Sequence, residues 1–208
     1  KLTDWLSIAA LLEAEYSARW LRLADSEKSR FADDNSQTLQ LAADLSLLPW
    51  LKAEVVNDLE QKGSLNHTVD EAFVSVEIGK ITADFGRVYL PFGEYFSRFV
   101  SGPAIEFGET RGTGSVLTYE DDLFELSTFL YGAPTNSDNL DSNRLDYGFS
   151  QKLNVYDHIS VGASFTSDLA RALDSPLNDV TGRSRRVSGV SGFVALNATP
   201  WDITLEIL

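Results

Sequence analysis

The sequence predicts an all-β fold, an antiparallel up-and-down transmembrane β-barrel, with eleven candidate strands visible and twelve or more expected in the full protein. Three observations predict it. Apolar and polar residues alternate with a period of two along most of the 208 residues. The links between alternating runs are short at one end and long at the other. Three of the four tryptophans fall at the short-link end.

The alternation is justified run by run. Ile8, Ala10, Leu12, Ala14, Tyr16, Ala18 and Trp20 alternate with Ser7, Glu13, Glu15, Ser17 and Arg19. Ala, Leu and Glu are also good helix formers, but a phase of two held over this length favours a strand. Leu39 to Leu47, Leu51 to Leu59, Ala72 to Ile78 and Ile81 to Phe85 follow the same rule. So do Leu117–Tyr119, Phe124–Leu130, Leu145–Leu153, Ile159–Phe165, Val190–Ala198 and Ile203–Ile207. A strand of about 10 residues, tilted by about 45°, gives roughly 24 Å of height, the apolar band of an outer-membrane barrel.

Short turns are expected at Leu48-Pro49-Trp50, Gly79-Lys80, Asp121-Asp122, residues 154–157 and Thr199-Pro200-Trp201. Long polar links are expected at about 24–37, 61–70, 87–115, 133–143 and 168–187. Outer-membrane barrels segregate their loops in this way, whereas a soluble sandwich has no reason to. Trp5, Trp50, Trp201 and Tyr156 lie at the short-turn end and form a candidate aromatic girdle at headgroup level.

Charge follows the same parity. The formal net charge is −14, which argues against a nucleic-acid partner. Strand acids fall on the polar positions: Glu13, Glu15, Asp44, Glu54, Asp58, Glu60, Glu71, Glu77, Asp84, Glu120, Glu125, Asp146, Asp202 and Glu206. The bases there are Arg19, Lys52, Arg144 and Lys152, and no lipid-facing position of the expected strands is charged. An acidic lumen that prefers cations follows. Within 86–115, Arg87, Arg98 and Arg111 with Glu94, Glu106 and Glu109 are candidates for a paired network at a pore constriction. Pro91 has no N–H to give a ladder, so pairing should stop or bulge there.

Four stretches carry a family resemblance. They are Val69-Asp70-Glu71-Ala72 leading a strand, Gly-Arg-Val-Tyr-Leu-Pro-Phe-Gly at 86–93, Ser101-Gly102-Pro103, and Glu106-Phe107-Gly108-Glu109-Thr110-Arg111. Together, over about 69–150, they resemble the siderophore porins of the legiobactin-uptake type. The Pro-Phe-Gly element also resembles phosphate-selective porins, so a general porin of that kind is an alternative. The later Gly-Glu-Thr-Arg favours the siderophore group. The resemblance implies a bacterial outer-membrane barrel that admits iron-loaded siderophores.

Enzymatic chemistry has little to stand on. The chain has no Cys, hence no disulfide, thiolate metal site or thiol nucleophile, and it carries no phosphate-binding loop or dinucleotide fingerprint. Its two histidines, His67 expected in a long loop and His158 beside a short turn, are placed to form neither a metal pair nor a hydrolase triad. No run of about 18 apolar residues exists for a membrane helix.

We therefore expect a single barrel domain over 1–208, truncated at its C-terminus and closed by further strands, no enzyme activity and no cofactor. The expected partners are the lipid bilayer with its lipopolysaccharide, a small solute and, for a scaffold subunit of a larger envelope assembly, another protein.

Overall fold

The computed structural model describes residues 3–22, 29–62, 64–93, 110–132, 144–156, 158–169, 186–199 and 201–207. Eleven strands occupy them: β1 (Leu6–Arg22), β2 (Ser29–Leu48), β3 (Leu51–Lys62), β4 (Ser64–Ile78), β5 (Ile81–Tyr89), β6 (Arg111–Glu120), β7 (Phe124–Gly132), β8 (Leu145–Tyr156), β9 (Ile159–Thr166), β10 (Gly189–Ala198) and β11 (Trp201–Ile207). They form one sheet in sequence order, from β1 to β11. No α-helix occurs among the described residues.

All of the expected strands are present, and several are longer than expected. The links expected at 24–37 and 61–70 are largely strand, since β2 starts at Ser29 and β3 and β4 run to Lys62 and from Ser64. The backbone ladder is indifferent to side-chain polarity: β1 and β2 remain paired out to Leu21–Arg30 and Arg22–Ser29. Alternation therefore marks only the length of strand that has an apolar face. Likewise β5 and β6 reach Tyr89 and Arg111, which shortens the central link to 90–110.

The chain divides into two compact units, residues 1–47 with 52–72 and residues 48–51 with 73–208. In the first, the β1–β2 register sets Leu6, Ile8, Ala10 and Leu12 opposite Leu45, Ala43, Leu41 and Leu39. The alternate positions pair Ser7 with Asp44 and Glu13 with Thr38. His67 lies within β4, not in a loop, and its Nε2 is 3.2 Å from Asn57 Oδ1 on β3.

In the second unit the polarity of the sheet is inverted. Along β7, Phe124, Leu126 and Leu130 are exposed, while Glu125 is half-buried and Ser127, Phe129 and Tyr131 are buried. On β8, Leu145, Tyr147, Phe149 and Leu153 are exposed and Asp146 and Gly148 are buried. On β10, Val190 and Val194 face out while Ser191 and Phe193 are buried. A water-soluble antiparallel sheet does the opposite, turning its apolar face to the core.

Register aligns the buried face into rows. Thr82, Thr118, Ser127, Ser150, Ser164 and Ser191 are successive partners across β5 to β10, with Thr118 Oγ1 and Ser127 Oγ 2.9 Å apart. Where the row partner is glycine, an aromatic ring covers it. Phe129 lies over Gly148, and Phe193 over Gly162, so closely that an added Cβ would meet the rings at 2.2 and 2.3 Å.

This face is concave. A flat sheet would separate Tyr89 from Ser164 by four strand spacings, about 19 Å, and by seven residues along the strand, about 24 Å. The four residues from Tyr89 to Gly93 reach at most about 14 Å. The Gly93 N–H nevertheless donates to Ser164 Oγ at 2.8 Å. Strands β5 to β9 must therefore curl around the polar face.

Candidate functional site: the concave polar face

At Pro91 the chain leaves the sheet. The Leu90 N–H still donates to Thr110 O at 2.8 Å, but Phe92 N–H turns back to Leu90 O at 2.7 Å, and the ladder stops as the missing proline donor requires. Gly93 at φ 82° completes the turn. Leu90 and Phe92 are thereby laid onto the concave face. They pack there with Val88, Val116, Phe129, Tyr131 and Leu169, and with Phe73 at the margin. The start of the central link thus lies against the inner face, which answers for these residues whether that link folds inward.

A polar cluster borders this insert. Tyr131 OH donates to Asp168 O at 2.5 Å and lies 2.9 Å from Thr166 Oγ1. Arg144 bridges Asp146 Oδ1 at 3.2 Å and Asp168 Oδ2 at 3.1 Å. Arg186 Nε reaches Asp146 Oδ1 at 3.0 Å, and Ser167 Oγ donates to the same oxygen at 3.2 Å. The Val187 N–H donates to Asp168 Oδ1, and Leu169 N–H to Val187 O. Asp146 is wholly buried, so this paired set has little latitude. It ties both ends of the link between β9 and β10 to the sheet.

The residues expected from sequence are placed unevenly. Of the six constriction candidates, Glu94, Arg98, Glu106 and Glu109 lie outside the described residues. Arg87 and Arg111 do not share the concave face. Register puts Arg87 with Thr113 and Arg111 with Tyr89, on the parity of Phe85 and Leu117, because β5 continues past Phe85 instead of ending there. The expectation that this parity carries no charge fails at these two positions. Arg111 stacks over the Tyr89 ring at 5.4 Å.

The described acids keep the polar parity of their strands. Asp84 pairs in register with Val116 and Glu125 with Lys152, both on the concave face. Glu77 shares the parity of buried Ser75, while Glu54 and Glu71 are half-buried. In the first unit the backbone register sets Glu13 opposite Thr38 and Asp44 opposite Ser7, while the Glu15 side chain lies outside the description. Trp5, Trp50 and Tyr156 are exposed at the short-turn ends of their strands; the Trp201 side chain lies outside the description.

Sequence reasoning missed Leu90, Phe92, Tyr131, Asp168 and Arg186. One signal was available: Val116, Phe129 and Tyr131 are large residues on the polar parity, which a purely polar face does not need. Among the described residues no set of His, Asp or Glu side chains could hold a metal ion. No protein-family model matches the chain, and no curated protein is significantly similar to it.

Proposed function

We propose that the chain forms part of a β-barrel in the bacterial outer membrane and conducts a small solute along its concave polar face. The inverted polarity of the second unit carries this reading. Leu126, Leu130, Phe149 and Val194 are about half exposed, so in water each would forgo about half of the roughly 1.5–3 kcal/mol of full burial, and hydrocarbon removes that cost. Backbone edges are not tolerated in lipid, so β1 and β11 each require a partner strand there. Arg87 and Arg111 suit the headgroup end of such a wall, where long cationic side chains reach anionic groups such as those of lipopolysaccharide.

The acids on the concave side support preference for cations. The resemblance to siderophore porins supports a ferric siderophore as the cargo. A reversal potential across a salt gradient in planar bilayers tests the channel: the account expects cation preference, and anion preference contradicts it. One observation favours a second reading. The apolar insert fills part of the concave face, which suits a non-conducting scaffold subunit of an envelope assembly. A barrel that never conducts and copurifies with other envelope proteins would establish that reading instead.

A further inference from the structure

The short-turn end of the concave face holds a cavity of about 580 Å³. Four carboxylates line it, those of Glu120, Asp121, Asp122 and Glu125, against a single ammonium from Lys152. The carboxylates are not equivalent. Asp121 is engaged by the N–H groups of Leu123 and Phe124 at 2.9 and 3.3 Å, by Lys80 Nζ at 3.3 Å and by Tyr119 OH at 3.4 Å. Glu125 has interactions of its own, and Lys152 Nζ lies 6.0 Å over the Phe193 ring. Glu120 and Asp122 are exposed at the mouth, and no bond to either carboxylate occurs among the described residues.

A second observation is independent of the acids. Ser160 lines the same cavity, is 5 % exposed, and its Oγ has no hydrogen-bond partner. Register sets it between Asn154 and Ala195 on the concave face. A buried hydroxyl with its bond unmade is uncommon in a settled interior, and a bound polar group would satisfy it. A bare metal ion does not suit the site, since the described residues offer no ligand set.

We propose that this cavity binds a small organic cation, an ammonium held by Glu120 and Asp122 with a polar group reaching Ser160. The proposal rests on the channel reading only for its biological use; binding itself requires no conduction.

The test is calorimetric titration of the full chain in detergent with 1,4-diaminobutane, alongside 1,4-butanediol and magnesium chloride. Saturable binding of the diamine is expected, at least about tenfold tighter than the diol, since one lost charge interaction of about 1.4 kcal/mol is tenfold. Glu120→Gln and Asp122→Asn should each weaken it severalfold, and Ser160→Ala should weaken it without altering the salt dependence. Arg87→Gln, on the other face, should leave it unchanged. Equal binding of diamine and diol, competition by magnesium at equal concentration, or undiminished binding to both acid variants overturns the proposal. If an acid variant fails to fold, a fall in diamine affinity with added sodium chloride decides in its place, and an affinity that salt leaves unchanged overturns the proposal. Diamine binding by a chain that never conducts would reject the channel and keep this site, whereas conduction without binding would do the reverse.

Discussion

Asp121 shows how much one turn residue can organise. Its carboxylate accepts from two successive N–H groups and from Lys80 across the neighbouring turn. The Leu123 N–H, with further help from Phe124 N–H and Lys80, holds its pKa below the ordinary carboxylate value, while the Asp121 hydrogen bond raises that of Lys80. A depressed acid contributes stability above its unfolded pKa of about 3.9 and loses it as pH falls through the lower folded value. A raised lysine contributes below about 10.4 and loses it as pH rises further. Amide protection at Leu123 and Phe124 should therefore be level across neutral pH and decline at both extremes. Asp121→Asn keeps the acceptor oxygen and should retain most of that protection, whereas Asp121→Ala should abolish it.

Gly148 tests the packing at the same scale. A methyl there would sit 2.2 Å from Phe129 Cζ and 2.4 Å from Phe165 O. Gly148→Ala should cost about 1–3 kcal/mol in urea unfolding from detergent or lipid. An unchanged midpoint would mean that the ring is not seated over the glycine.

At the scale of elements, the alternation of β7 and β8 was legible because each pleat exposes its period directly: Phe124, Leu126 and Leu130 against Glu125 and Ser127. Strand ends were not legible, since pairing such as Arg22 with Ser29 depends on backbone bonds that no side-chain period reports. That error carried into the site. Ending β5 at Phe85 put Arg87 in a loop, and continuing it to Tyr89 put Arg87 on the opposite face. The insert was half legible. Pro91 announces the end of pairing, but where Phe92 then lands depends on curvature, which is a property of several strands together.

The insert makes its own prediction. Phe92 is 2 % exposed, and Phe92→Ala should cost about 3–5 kcal/mol if the cluster cannot collapse around it. The same change should raise single-channel conductance, because the ring occupies the concave side. Lower stability with unchanged conductance would place the solute path elsewhere.

For the whole molecule, the polarity of the sheet decides between lipid and water, and charge variants report on it. Leu130→Arg should destabilise the protein in lipid by about 2–4 kcal/mol near the bilayer centre. Thr128→Arg, a neighbour of the same parity, should act in the same direction, whereas Lys152→Arg on the concave face should be nearly neutral. An equal and small effect at all three positions would point to an aqueous surface on both faces.

The central claim is that the exposed apolar face meets hydrocarbon, and a chain without cysteine permits a direct measurement. Single cysteines at positions 126, 130, 149 and 194, and at 127 and 150 on the other face, can each carry a spin label in reconstituted vesicles. The account predicts that labels at 126, 130, 149 and 194 relax with lipid-soluble oxygen and resist a water-soluble nickel chelate, with weak response to oxygen at 127 and 150. Labels at 126, 130, 149 and 194 that respond chiefly to the nickel chelate would contradict it.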